Sequence, residues 1–144
     1  MHVVGIIGPY FSDGGNRRLI DHNIANARYV AIRIANYFCD SKLVGFFCPH
    51  NHTANFEKLA DADESYYYAL DDVIYDSVCD GFILLPGWKD SKGSVRDFER
   101  ARDRQKSLFI LDDYGEESLQ FILRGLEVWA RTLEKEITQV MLKV

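Results

Sequence analysis

Only three cysteines occur in the 144 residues, Cys39, Cys48 and Cys79, an odd number, widely spaced and without a CxxC pair. That pattern points away from a disulfide framework and reads as reduced, mostly buried thiols. No apolar run approaches the roughly 20 residues that span a bilayer, and Met1-His2-Val3 leads straight into a strand without a charged leader. The chain therefore reads as cytoplasmic, with no membrane partner. A basic excess is missing too: 17 Lys and Arg against 22 Asp and Glu leave a net charge of -5, which argues against a surface that coats a nucleic-acid polymer. There is no Walker A loop, no GxSxG elbow and no HExxH, and Gly5-x-x-Gly8 is an incomplete GxGxxG. Triphosphate hydrolysis, dinucleotide binding and serine-type acyl transfer lose their usual signatures, which leaves carboxylate chemistry as the natural enzyme reading. Repeats and low-complexity tracts are also lacking.

What is present describes an ordinary globular domain: 27% charged and 47% hydrophobic residues, with aromatics at 13%. A single domain over 1–144 is long enough to bury about two thirds of its unfolded surface. Apolar runs alternate with helical periodicity, the signature of a β/α chain with a parallel sheet. Strands are expected at 3–7, 43–48, 81–85 and 108–111, and helices at 19–39, 63–78, 93–106 and from 117 to about 140. Residues 13–18 read as a polar, mobile loop, and Pro49-His50-Asn51-His52-Thr53 as a loop closing the second strand. Short right-handed crossovers allow a flavodoxin- or Rossmann-like three-layer α/β fold, its four- to five-stranded parallel sheet ordered 2-1-3-4 with a long C-terminal helix. That helix carries an apolar stripe from Leu119, Ile122 and Leu123 through Leu126 and Trp129 to Leu133, Ile137 and Val140. It is longer than one small sheet needs, which suggests a homodimer or higher oligomer.

The stretch 80–101 is where such a fold would hold a ligand. An apolar strand opens into Pro86-Gly87-Trp88-Lys89-Asp90, then Ser91-Lys92-Gly93-Ser94, then a helix carrying Asp97, Glu99 and Ala101. Ligands of open α/β sheets sit beyond the carboxyl ends of the strands, at the switch point, here between strands one and three. Ser91, Gly93 and Ser94 would place hydroxyls and orphan N–H groups at a helix start, where an anion such as phosphate is favoured. Asp97 follows one turn later. Glu99 lies about 200° further around the helix, so the two acids cannot face one pocket.

With Gly8-Pro9-Tyr10-Phe11 after strand one, Asn23 and Ala27 on the first helix, Pro49-His50 after strand two, Asp72 ahead of Asp80, then Trp88 and Ser91-x-Gly93-x-x-x-Asp97-x-x-x-Ala101, residues 3–111 resemble the nucleoside 2-deoxyribosyltransferase superfamily. That superfamily also contains 2'-deoxynucleoside 5'-monophosphate N-glycosidases. The resemblance implies cleavage of an N-glycosidic bond. Asp97 occupies the place of the family's glutamate, six residues after the serine and four before the small residue; aspartate is one methylene shorter, yet both acids serve in glycosyl transfer. Glu99 stands second for this role. Ser91 matches the members that act on monophosphates, where an acid would repel the phosphate. The resemblance further implies that Asp72, with Asp71 as its rival, binds the sugar or relays a proton to the leaving base. Tyr10 would hydrogen-bond the catalytic carboxylate, Gly8, Pro9 and His50 would line the substrate site, and Asn23 would anchor the first loop to its helix. Relatives are commonly oligomers in which a neighbour closes the site, a part for Ser118 or Gln120. The implied ligand is a small nucleotide or nucleoside, hydrolysed or, in the variant reading, relieved of its sugar by transfer to another base; a binding module without turnover is the further alternative.

Two constellations have plainer readings. His50-Asn51-His52 supplies two imidazoles but no third metal ligand nearby, so no metal or organic cofactor is expected. Trp88, His52, Phe56 and the run Tyr66-Tyr67-Tyr68 offer faces for a nucleobase or simply core; three adjacent tyrosines cannot all be buried. Lys92, Arg96, Arg17 and Arg18 are charges available to a phosphate or to solvent.

Overall fold

The first strand, β1 (His2–Ile7), is apolar at nearly every position, as a parallel strand covered on both faces requires. The structure, a computed structural model, describes residues 1–11 and 14–143; Ser12, Asp13 and Val144 lie outside the described residues, so the 13–18 loop is described only from Gly14. After β1 come α1 (Arg17–Phe38), β2 (Val44–Phe47), α2 (Pro49–His52), α3 (Glu64–Ser77), β3 (Gly81–Leu84), α4 (Lys92–Asp103), β4 (Ser107–Ile110) and α5 (Glu116–Leu142), with 3-10 turns at Phe56–Lys58 and Trp88–Asp90.

The four strands form one parallel sheet in the order β2-β1-β3-β4, the order expected from the alternation of elements. The chain reverses direction across the sheet after β2, so right-handed crossovers send successive helices to opposite faces. Val4, Ile6, Ile83 and Leu85 turn toward α1 and α5, where they pack with Ala27, Val30, Ile34, Leu119, Leu123 and Leu126. Ile7, Phe82 and Leu84 turn the other way, toward Tyr75 and Cys79 beside α3 and Ala101 of α4.

Local chemistry sets the element ends. The Asn16 side chain accepts from the backbone N–H groups of Arg18 and Leu19 at 3.1 and 3.4 Å, so Arg17 and Arg18 belong to α1 and not to the preceding loop. The segment read as a loop at 49–53 instead opens with one helical turn, because Pro49 has its φ set for a first helical position and no N–H to satisfy. The apolar stripe of α5 is buried only as far as Ala130; Ile137, Val140, Met141 and Leu142, 51 to 82% exposed, overhang the sheet. Among the described residues no helix is long and apolar enough to cross a membrane.

Candidate functional site

Beyond the carboxyl ends of β1 and β3 lies a cavity of about 640 Å³, a size usual for small-molecule sites. Its walls are Ile6, Ile7 and Gly8 from β1 and its loop, Tyr10 and Phe11, His50 of α2, Glu57, Tyr67, Tyr68, Asp71 and Tyr75 around α3, and Asp90, Ser91, Gly93, Ser94 and Asp97 at the start of α4. The two loops meet closely: a Cβ on Gly8 would fall 2.7 Å from Leu85 Cδ1 and 2.9 Å from its Cβ, so only glycine lets the β1 loop run against the end of β3.

The end of the cavity whose chemistry suits an anion is the first turn of α4. Ser91, in extended conformation, caps the helix by accepting the Ser94 N–H at 3.3 Å, while the N–H groups of Lys92 and Gly93 fall among those without an intrahelical acceptor. Ser94 is 3% exposed, and its Oγ is buried without a hydrogen-bond partner. A Cβ on Gly93 would lie 2.8 Å from the Tyr68 hydroxyl, so glycine allows that tyrosine to lie across the helix start.

Two acids face the same space. Burial pushes the Asp97 carboxyl up to about 6, against the pull of Arg96, whose Nη1 donates to Asp97 Oδ1 at 2.8 Å. Burial, then the charges of Asp97 and Asp72, pushes Asp71 up to about 7, and its Oδ1 has no hydrogen-bond partner. Asp72, expected to hold substrate, is not among the cavity residues. It pairs with Arg96 Nη2 at 2.5 Å and Arg100 Nε at 3.3 Å. The reason is helical phase: Tyr68, Asp71 and Tyr75 recur at i, i+3, i+7 toward the cavity, whereas Asp72 and Asp76 form an i, i+4 row about 100° away. That row meets Arg96, Arg100 and Arg104 of α4. Glu99 is exposed and outside the cavity, as its angle from Asp97 requires.

Tyr10 is also placed differently. Its hydroxyl donates to Glu57 at 3.1 Å and accepts the Asn55 N–H at 2.9 Å instead of meeting Asp97, because the 53–58 segment folds over the β1 loop with Asn55 at φ 66°. Arg17 joins that segment, bonding Asn55 and Glu57, and Arg18 is exposed. Asn23 donates to the Tyr10 carbonyl at 3.1 Å and so ties the loop to α1. His50, 5% exposed, has Nε2 2.8 Å from the Pro9 carbonyl. A carbonyl only accepts, so that nitrogen carries the proton and Nδ1 is left a bare acceptor in the neutral ring; burial lowers the ring's pKa. Pro9 thus serves through its carbonyl and does not line the cavity.

Of the expected stacking aromatics, Tyr67 and Tyr68 line the cavity. Trp88 turns away to pack on Phe98 at 4.6 Å between ring centroids, and His52 packs edge-on to Phe47 at 5.8 Å. Among the described residues no group of three His, Cys, Asp or Glu is arranged to hold a metal. Glu57, Thr53 and Tyr75 are cavity residues that sequence reasoning did not single out. Tyr75 was detectable as the residue one turn beyond Asp71, but Glu57 sits in a stretch with no periodicity to read. No family model matches the chain, and no curated protein matches it.

Proposed function

We propose that the protein cleaves the N-glycosidic bond of a nucleoside 5'-monophosphate, a 2'-deoxy one in the simplest form of the reading, releasing free base and sugar 5-phosphate. The observation that carries it is a shared cavity: an α4 N-terminus with an unpartnered, buried Ser94 hydroxyl opens onto the same space as two half-buried carboxylates. Ser91, Gly93 and Ser94 take the phosphate through hydroxyls and N–H donors. Asp97, ionised, attacks the anomeric carbon as its bond to the base nitrogen breaks. Asp71, about half protonated near pH 7, gives its proton to the departing base and then accepts one from the water that hydrolyses the glycosyl ester. Unequal carboxyl environments are what such a division of labour requires. Tyr67 and Tyr68 supply aromatic walls for base and sugar.

A second reading rests on Arg96. Its hydrogen bond to Asp97 Oδ1 occupies an oxygen that a nucleophile uses, which favours a nucleotide-binding module without turnover. Self-association belongs to either reading, motivated by the exposed apolar end of α5 and measured by sedimentation. The decisive experiment incubates the protein with deoxy- and ribonucleoside 5'-monophosphates and the matching nucleosides and follows free base by chromatography. Base from monophosphates alone is the expected result. Release only from nucleosides, and only with an acceptor base, replaces hydrolysis by sugar transfer; no release, with a monophosphate raising the melting temperature, replaces catalysis by binding.

A further inference from the structure

Arg96 is restrained on three sides. Nη1 donates to Asp97 at 2.8 Å, Nη2 to Asp72 at 2.5 Å, and the guanidinium lies over the Tyr68 ring at 4.5 Å from its centroid. A planar fork can join two carboxylates in this way, whereas an ammonium cannot reproduce the geometry. Asp72 is itself braced by Arg100. The groups facing Asp97 are Asp71, Asp72, Tyr68 and Tyr75 from α3, and Arg96 and Arg100 from its own helix. Apart from the two arginines these are acids and neutral phenols, so among these groups only the arginines bring positive charge, and in a desolvated setting the neighbouring acids disfavour a second negative charge.

We propose that Arg96, anchored by Asp72, is the positioning residue that keeps Asp97 ionised while Asp71, facing the same cavity with an unpartnered oxygen, carries the proton. Asp72 therefore acts through Arg96 and not on the substrate. The guanidinium separates two neighbouring acids that burial alone pushes in the same direction. Its catalytic consequence rests on the glycosidic reading above, but the charge assignment itself is open to measurement without substrate.

The test is a ¹³C NMR titration of the aspartate side-chain carboxyls in the free protein, with the Asp97 and Asp71 signals identified by their loss in Asp97→Asn and Asp71→Asn. In the native chain Asp97 is expected to ionise at lower pH than Asp71. In Arg96→Gln the Asp97 midpoint should rise by about 1–3 pH units, the range for losing an adjacent opposite charge. Arg96→Lys, which keeps the charge and the aliphatic stem and guards against a misfolded glutamine variant, should fall between the two. An Asp97 midpoint unmoved in both variants, or Asp71 ionising first in the native chain, overturns the proposal. The acid limb of kcat/KM for base release should move with the same carboxyl. A displaced titration in a protein that releases no base upholds the assignment and removes the glycosidic reading; base release with an undisturbed titration does the reverse.

Discussion

The sheet's two faces are built on opposite terms. Toward α1 and α5 it presents Val4, Ile6, Ile83 and Leu85 to apolar partners, many of them completely buried, while the polar contacts between these helices, Arg33 with Glu116 and Tyr37 with Glu127, are solvent-exposed. Toward α3 and α4 the apolar cluster is small, and the rest of the interface is ionic: Asp72 and Asp76 against Arg96, Arg100 and Arg104. Above it stand two acids whose burial raises their pKa. Side chains around the cavity also keep unpartnered polar atoms, at His50, Tyr67, Asp71 and Ser94, each of which costs about 1–3 kcal/mol without a ligand or water to satisfy it. One face supplies cohesion. The other gives up some of that cohesion and holds charged groups partly out of water.

This contrast can be broken at its extremes. Asp97→Asn on the ionic face should lower base release by at least about 10³-fold, roughly 4 kcal/mol of barrier, while circular dichroism shows the fold retained; undiminished turnover would remove Asp97 from the chemistry. Leu126→Ala on the opposite face, where Leu126 is 0% exposed, should cost about 3 kcal/mol in a denaturant titration yet leave KM unchanged. A large change in KM would mean that the two faces are not separable. The smallest effect has the opposite sign. Burial holds the Asp71 carboxyl at about 7 in the folded chain, well above the usual aspartate range, so the folded form binds more protons between that range and pH 7 and stability falls as pH rises through it. Asp71→Asn removes that loss. Asp71 is only half-buried, so water screens most of that penalty; the variant's melting temperature should exceed the native one by about 2–4 °C at pH 8, equivalent to roughly 1 kcal/mol, and match it at pH 4, whereas a gain of equal size at both values would assign the effect to packing instead of charge.

The fold was legible wherever a local pattern repeats. All four strands follow from apolar runs, and the strand order follows from their alternation with helices. The α4 start was legible for a related reason: Ser91, Gly93, Ser94 and Asp97 lie within two helical turns, and local helical geometry brings them to one cavity. The same geometry carries Glu99 to the exposed side. Neighbouring acids were harder. Asp71 and Asp72 are equivalent along the chain, and only the rotation of α3, with Tyr75 buried beneath it and its second acid row against α4, turns one to the cavity and the other to Arg96. Tyr10 escaped in a similar way, since its partners Asn55 and Glu57 come from a segment that follows no period. Trp88 could stack on a ligand or on Phe98, and chain order does not distinguish these.

By itself the sequence determined the sheet, its order and the place where a helix start meets the crevice, because hydrophobic periodicity, caps and crossover handedness act between near neighbours. Tertiary structure alone decided which acid enters the cavity and which is held away from it by arginine. Burial and Coulomb interactions act through space, between α3, α4 and the 53–58 segment, and have no counterpart in residue spacing.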